Sequence, residues 1–439
     1  MARTEPARGM RDFLPADVRR REHVIGIVKR VYERYGFEPL ETPAVENIDT
    51  LMGKYGEEGN QLIFKILKRG EHEASGQADL ALRYDLTVPL ARVIAHHQSE
   101  LPRLFKRYQI QPVWRADRPA RGRFREFYQC DVDALGSTSP AVEAELCTAV
   151  SDALIELGFT DFTIRLNHRQ LLTSLLNRIG VPEPLHGGAL VAIDKLDKVG
   201  IDGVAAEFAQ RGIPVPASAL IDQIRGFESR PASMAGAFDD AGEQAWRNVA
   251  QIMYLVTGTS AAERLRLDLS LARGLSYYTG AIMEISVADL AGSLGGGGRY
   301  DNLVGMFMGQ SVPACGFSLG LERILVVMAE RNMFPGSLVT APADVMMAVF
   351  DPKDLDSAMR VAALLRQAGL RVLTYPEPDK IGKQIKYADS RGIPYVAILG
   401  GDELTAGTVT VKDLAGKTQR THAQSAAGAA ILEDLKRRG

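Results

Sequence analysis

Five arginines, Arg115, Arg118, Arg121, Arg123 and Arg125, fall within eleven residues, and the run RFREFYQCDVDA (123–134) follows on from them. In an extended chain, successive side chains point to opposite faces. One face then carries Arg123, Arg125, Phe127, Gln129, Asp131 and Asp133, and the other carries Phe124, Glu126, Tyr128, Cys130, Val132 and Ala134. The second suits a core. The first is mostly charged, with an aromatic and an amide in the middle, and a solvated strand face would look the same. The arginine density shifts the balance toward a ligand. A loop that basic repels itself or binds an anion, and the planar guanidinium fork matches phosphate oxygens.

Four further stretches have types and spacings that could do chemistry. In RYDLTVPLAR (83–92), Asp85 and Thr87 would share a strand face and could hold an ammonium group; they could equally cap the helix that follows. In LSLARGLSYYTG (269–280), Arg273 is the one charged side chain between Asp268 and Glu284, and Tyr277 and Tyr278 follow it. In LGGGGRYDNL (294–303), four glycines allow close backbone approach to a ligand, or form a flexible turn. CGFSLGLERI (315–324) leads small residues into a helix with Arg323 in its early turns, where a surface arginine is also common. Neither GxxxxGK[ST] nor a strand–GxGxxG–helix pattern is present, so a nucleotide here would not sit on a P-loop or a Rossmann turn.

The elements that would position these residues are legible in the spacing. Residues 18–36 read as an amphipathic helix ending at Gly36, and 37–47 as an extended segment broken by Pro39 and Pro43. Residues 81–98 begin extended and turn helical after Pro89. Residues 104–135 form a long hairpin around RPARGR, followed by a helix at 140–157 and a strand at 161–166. From Gln170 to about Thr259 short helical segments alternate with loops. Strands return at 265–272 and 281–288, and the alternation of Leu265, Leu267, Leu269 and Leu271 places Arg273 at a strand end. Beyond the linker around 333–342, strand and helix alternate, which suggests a small α/β domain with a mixed sheet.

A chain of 439 residues exceeds one ordinary core. Its 46% hydrophobic and 24% charged content is that of a soluble globular protein. The net charge of −2 argues against a generally basic nucleic-acid coat and leaves room for a local basic patch. No stretch is apolar enough to span a membrane or act as a signal peptide, which implies a cytoplasmic protein. Cys130, Cys147 and Cys315 are far apart and the histidines are scattered apart from His96-His97, so neither a disulfide framework nor a protein-held metal is expected.

Taken in this order, the segments resemble the class II aminoacyl-tRNA synthetases, and most closely the histidyl-tRNA synthetases, over essentially the whole chain. ETPAVEN resembles the family's first, dimer-forming motif, VWRADRPARGRFREFYQCDVDALG its second, and CGFSLGLERI its third. RGLSYYTG and GGGGRYDNL resemble its histidine-specific signatures. The resemblance implies an α+β fold: an antiparallel sheet flanked by helices (1–169 and 260–332), an inserted helical domain (170–259), a linker (333–342) and an α/β anticodon-binding domain (343–439). It implies ATP with Mg2+, L-histidine and tRNA(His) as ligands, and a homodimer. It implies that Arg115 and Arg273 act at the α-phosphate, with Arg123 at the outer phosphates. Phe127 and Arg323 would enclose the adenine. Asp85, Thr87 and Gln129 would hold the amino group of histidine, Asp133 and Tyr278 would read its ring with Tyr300 nearby, and Arg273 and Tyr277 would also bind histidine.

One position departs from the family pattern: Ser276 stands where the signature carries an aspartate. A regulatory relative that binds histidine without catalysis is the alternative reading. Such relatives lose the ATP arginines and the C-terminal domain, whereas this chain keeps Arg115, Arg273 and Arg323 and a C-terminal domain with the basic residues Lys380, Lys383, Lys386 and Arg391. An ATP-dependent amide ligase on the same fold would not need that domain.

Overall fold

The computed structural model describes residues 4–70, 75–272, 277–336, 338, 341–377 and 379–438. Arg273 and Ser276 lie outside the described residues. The chain divides into two compact units, Met1–Phe334 and Pro335–Gly439.

The first unit is built on an eight-stranded sheet. In spatial order its strands are Glu38–Pro39, Phe105–Trp114, Glu126–Leu135, Ala314–Gly320, Gly295–Arg299, Ala281–Ser286, Thr163–His168 and Leu265–Leu267. Neighbours are antiparallel except for the outermost pair at each end. The arginine hairpin forms with Phe105 opposite Leu135 and Trp114 opposite Glu126. Its alternation sorts as expected. Cys130, Val132 and Ala134 join a core with Val24, Val28 and Val31 of the helix Pro15–Arg34, with Leu146 and Val150 of Ala141–Glu156, and with Ile324 and Val327 of Leu321–Glu330. The polar face is left pointing away from these helices.

Three local expectations are corrected. The glycine run is neither a turn nor a loop but an interior strand. A Cβ on Gly297 would come within 2.1 Å of the Gly316 carbonyl oxygen, so close strand packing requires glycine. The strand beginning at Leu265 ends at Leu267, because Asp268 turns the chain: its carbonyl accepts from Leu271 N–H at 3.1 Å and its carboxylate from Ser270 N–H at 3.0 Å. Leu269 and Leu271 then enter a second core with Leu171, Leu175, Leu220 and Ile224 of the helices Arg169–Arg178 and Ala217–Ser229. The helix after Asp85 runs Thr87–His96 and starts before Pro89, which its first turn accommodates because those N–H groups have no intrahelical acceptor.

The second unit has a five-stranded mixed sheet. Val372–Thr374, Val345–Ala348 and Tyr395–Ile398 run parallel, and Thr408–Asp413 and Thr418–Ala423 add antiparallel. Val345 and Met347 pack into one cluster and Met346 and Ala348 into another, as expected of a strand covered on both faces. No described helix is long and apolar enough to cross a membrane.

The glycine strand is tied down at its end. Arg299 donates from Nε and Nη2 to the two carboxylate oxygens of Glu143 at 2.6 and 2.8 Å, with Arg299 6% and Glu143 0% exposed. Breaking such a pair leaves an uncompensated buried charge. Glu143→Gln is expected to destabilise the chain by about 3 kcal/mol in urea unfolding, and Glu143→Met with Arg299→Met by less. Equal losses would mean that packing, not the orphaned charge, sets the cost.

Candidate active site

The polar face of the hairpin floors a cavity of about 390 Å³ in the first unit. Arg115, Arg123 and Arg323 are among its lining residues and concentrate positive charge on one side. Arg115 donates from Nε to the Tyr84 carbonyl at 3.0 Å, and its guanidinium lies 5.1 Å from the centre of the Phe127 ring. Arg323 donates to the carbonyls of Ser293 and Gly122. Both guanidinium groups are therefore oriented by backbone oxygens. Arg123 lies 3.8 Å from Asp117 in a solvent-screened pair.

Asp85, with the phenols of Tyr277 and Tyr278, marks another part of the lining. Asp85, 1% exposed, accepts from Val88 N–H at 3.0 Å and from the hydroxyls of Tyr55 and Tyr277 at 3.0 and 3.2 Å. It thus serves the first turn of its helix and lines the cavity at once. Burial raises its carboxyl pKa, opposed by the Val88 N–H and the Arg115 charge.

Asp131 and Asp133 sit beneath the cavity, each 2% exposed. Asp133 pairs with the fully buried Arg107 at 2.8 Å and accepts from the Tyr300 hydroxyl. The pair is close, but the guanidinium N–H is not aimed at Asp133 Oδ2, so the contact is ionic and not a hydrogen bond. A Cβ on Gly316 would fall 1.9 Å from Asp133 Oδ1, so the carboxylate needs glycine beside it. Burial raises both acids against the pull of Arg107, and Asp131 is pushed up to about 7. Burial also raises the phenols of Tyr277, Tyr278 and Tyr300, which keeps them as hydrogen-bond donors at neutral pH. The cavity is therefore bipolar: the acidic side suits a cation with polar hydrogens, and the arginine side suits a polyanion.

Residues 9–324 match the family model described as histidyl-tRNA synthetase, and residues 344–434 match an anticodon binding domain. The chain is 40% identical to a histidine–tRNA ligase from Gloeobacter violaceus, covering 98% of each chain. It is likewise 40% identical to one from Flavobacterium johnsoniae, covering 93% of this chain and 94% of that one. The crystal structure of histidyl-tRNA synthetase from Nostoc sp. PCC 7120 superposes with a TM-score of 0.82 at 31% identity and full coverage of both chains. The chain belongs to the histidyl-tRNA synthetase family.

Of the residues that the family resemblance implicates, Asp85, Thr87, Arg115, Arg123, Phe127, Gln129, Tyr277, Tyr278 and Arg323 all line this one cavity. Asp133 and Tyr300 do not: they lie behind its wall, bonded to each other. Arg273 is outside the described residues. Of the five clustered arginines only Arg115 and Arg123 reach the cavity, because Arg121 pairs with Glu330 and Arg125 donates to the Asp117 carbonyl at 3.1 Å. Sequence reading missed Arg107 and Ser318. Arg107, Gln109 and Gln111 alternate in FKRYQIQP as the acids do in the partner strand, and that shared period was the available signal.

The Asp131 shift has a testable sign. The folded chain holds its proton from the ordinary carboxyl range up to about 7, so that contribution to stability is complete in acid and is lost as pH rises through about 7. Asp131→Asn abolishes the loss. The variant is expected to gain on the order of 2–4 kcal/mol relative to the parent between pH 5 and pH 8 in urea unfolding. A difference independent of pH would show that Asp131 does not titrate in that window.

Proposed function

We propose that the chain is a histidine–tRNA ligase, which activates L-histidine with ATP to histidyl-adenylate and pyrophosphate and transfers the histidyl group to the 3′ end of tRNA(His). The observation that carries this reading is the bipolar cavity, with acids and phenols on one side and arginines on the other, in a chain of this family. Nothing favours the regulatory alternative.

In the reaction the carboxylate of histidine attacks the α-phosphorus of ATP. Charge builds on the equatorial oxygens, and catalysis of such a step is mostly positioning and electrostatic stabilisation. Arg115 is assigned to the α-phosphate, with Arg273 as the second cation there. Arg123 is assigned to the outer phosphates, and Phe127 and Arg323 to the adenine. Asp85, Thr87 and Gln129 take the ammonium group. Tyr278, backed by Asp133 and Tyr300, reads the imidazole, and Tyr277 holds Asp85 in place. A site that pairs with ring N–H and N groups rejects analogues lacking them by roughly 10⁴-fold, so no editing domain is needed.

Magnesium keeps several waters and binds through one or two carboxylates plus substrate phosphates. Asp117 and Glu284 both line the cavity and suit that demand. When bound with the nucleotide, the ion supplies charge neutralisation at the outer phosphates. Residues 343–439 are assigned to the tRNA anticodon and the helices of 170–259 to tRNA contact. The segment 41–47 is assigned to a homodimer interface, and the protein to the cytoplasm.

Histidine-dependent ATP–pyrophosphate exchange tests the reading. The purified chain is expected to show it, and Arg273→Ala to abolish it while histidine binding survives. A folded parent without exchange would overturn the function; exchange persisting in Arg273→Ala would overturn the role of that arginine.

A further inference from the structure

Gln129 presents a choice that its own side chain cannot make. An amide has one acceptor oxygen and a two-proton donor nitrogen at nearly the same reach, and the partner on one side decides which end faces the other. Only the oxygen suits an ammonium ion. Here Gln129 Nε2 donates to Ser318 Oγ at 2.9 Å. Ser318 lies directly across from Asp131 in strand register, where its hydroxyl pulls that carboxyl group down, and Asp131 Oδ1 is buried with no hydrogen-bond partner among the described residues, an acceptor left open to the serine proton.

The direction of each bond follows. A carboxyl oxygen facing Ser318 accepts whether the acid is ionised or, through its carbonyl, neutral. The serine proton then points at Asp131, and the serine oxygen is left as an acceptor toward Gln129. A flipped amide would set Gln129 Oε1 against that oxygen, two acceptors facing each other. What remains is Gln129 Oε1, buried and without a hydrogen-bond partner among the described residues, on a residue that is itself 8% exposed and lines the cavity. Asp85, the other acceptor for the ammonium, already receives three donors.

We propose that Ser318 and Asp131 are positioning residues, forming a relay that locks the Gln129 amide with its oxygen toward the ammonium group of the amino-acid substrate. Neither residue touches the reacting atoms. The relay makes the site selective for an α-amino acid over the same side chain without its amine. It rests on the ligase reading above.

The experiment is ATP–pyrophosphate exchange with the full chain and its Ser318→Ala and Asp131→Ala variants. Histidinol, which keeps the amine, and imidazolepropionate, which lacks it, serve as competing inhibitors. Loss of a hydrogen bond to a charged group corresponds to ~10-fold. Ser318→Ala is expected to raise the KM for histidine and the Ki of histidinol by ~10-fold, and to leave the KM for ATP and the Ki of imidazolepropionate unchanged. Asp131→Ala, which removes the acceptor, is expected to move the same two constants and spare the same two. The relay is overturned if imidazolepropionate weakens by the same factor as histidinol, since a loosened strand would affect both. It is overturned equally if Ser318→Ala leaves the histidine constants in place, or if Asp131→Ala moves none of them. Absence of exchange in the parent chain is a different result and would remove the ligase reading instead.

Discussion

The Arg107–Asp133 pair is the constraint around which the site is arranged. Arg107 is 0% exposed, and its charge is tolerable only because acids stand next to it. Removing either partner would strand the other in a medium that cannot solvate it. The surrounding contacts serve the same requirement. Arg107 also reaches the Leu86 carbonyl and the Gln109 amide, each at 3.3 Å, and Gln109 donates onward to Thr42 and Gln111. Arg83 closes this network on Gln111 and on the carbonyls of Thr42 and Pro43. A buried polar chain of this kind has few alternative arrangements, because most of its donors are committed, Arg107 Nε being the exception among the described residues. It links the floor of the cavity to the segment 41–47.

That commitment is what pre-organises the cavity. Gly316 leaves room for Asp133, the Tyr300 hydroxyl holds it, and Arg299, the residue before Tyr300, is pinned to Glu143. On the opposite side, backbone carbonyls aim Arg115 and Arg323. The two halves of the reaction, an amino acid with its cationic end and a nucleotide with its phosphates, meet groups already in place. Little reorganisation is left to occur during the chemical step.

Much of this was legible in the sequence because strand alternation is local. The period-two pattern of 123–134 separated Gln129 and Asp133 from Cys130 and Val132, and the sheet keeps that separation. Where the sequence misled, a contact that alternation does not encode decided the outcome. Four glycines resemble a flexible turn until strands from 281–286 and 314–320 close on both sides. Leu269 and Leu271 continue an alternation that Asp268 has already ended. Arg121 and Arg125 looked like phosphate ligands, yet Glu330, more than 200 positions away, claims one, and a nearby carbonyl claims the other. Ser318 carries no sequence signal of its own, and its meaning comes only from lying opposite Asp131 in register.

The imidazole recognition proposed above holds only if the site selects the ring through its polar atoms and not through its shape. Calorimetric titration of the unmodified protein with L-histidine and with β-(2-thienyl)alanine, a near-isostere lacking both ring nitrogens, tests it without disturbing the fold. Histidine is expected to bind more tightly by at least about 100-fold. Thienylalanine binding within a few-fold of histidine would contradict it.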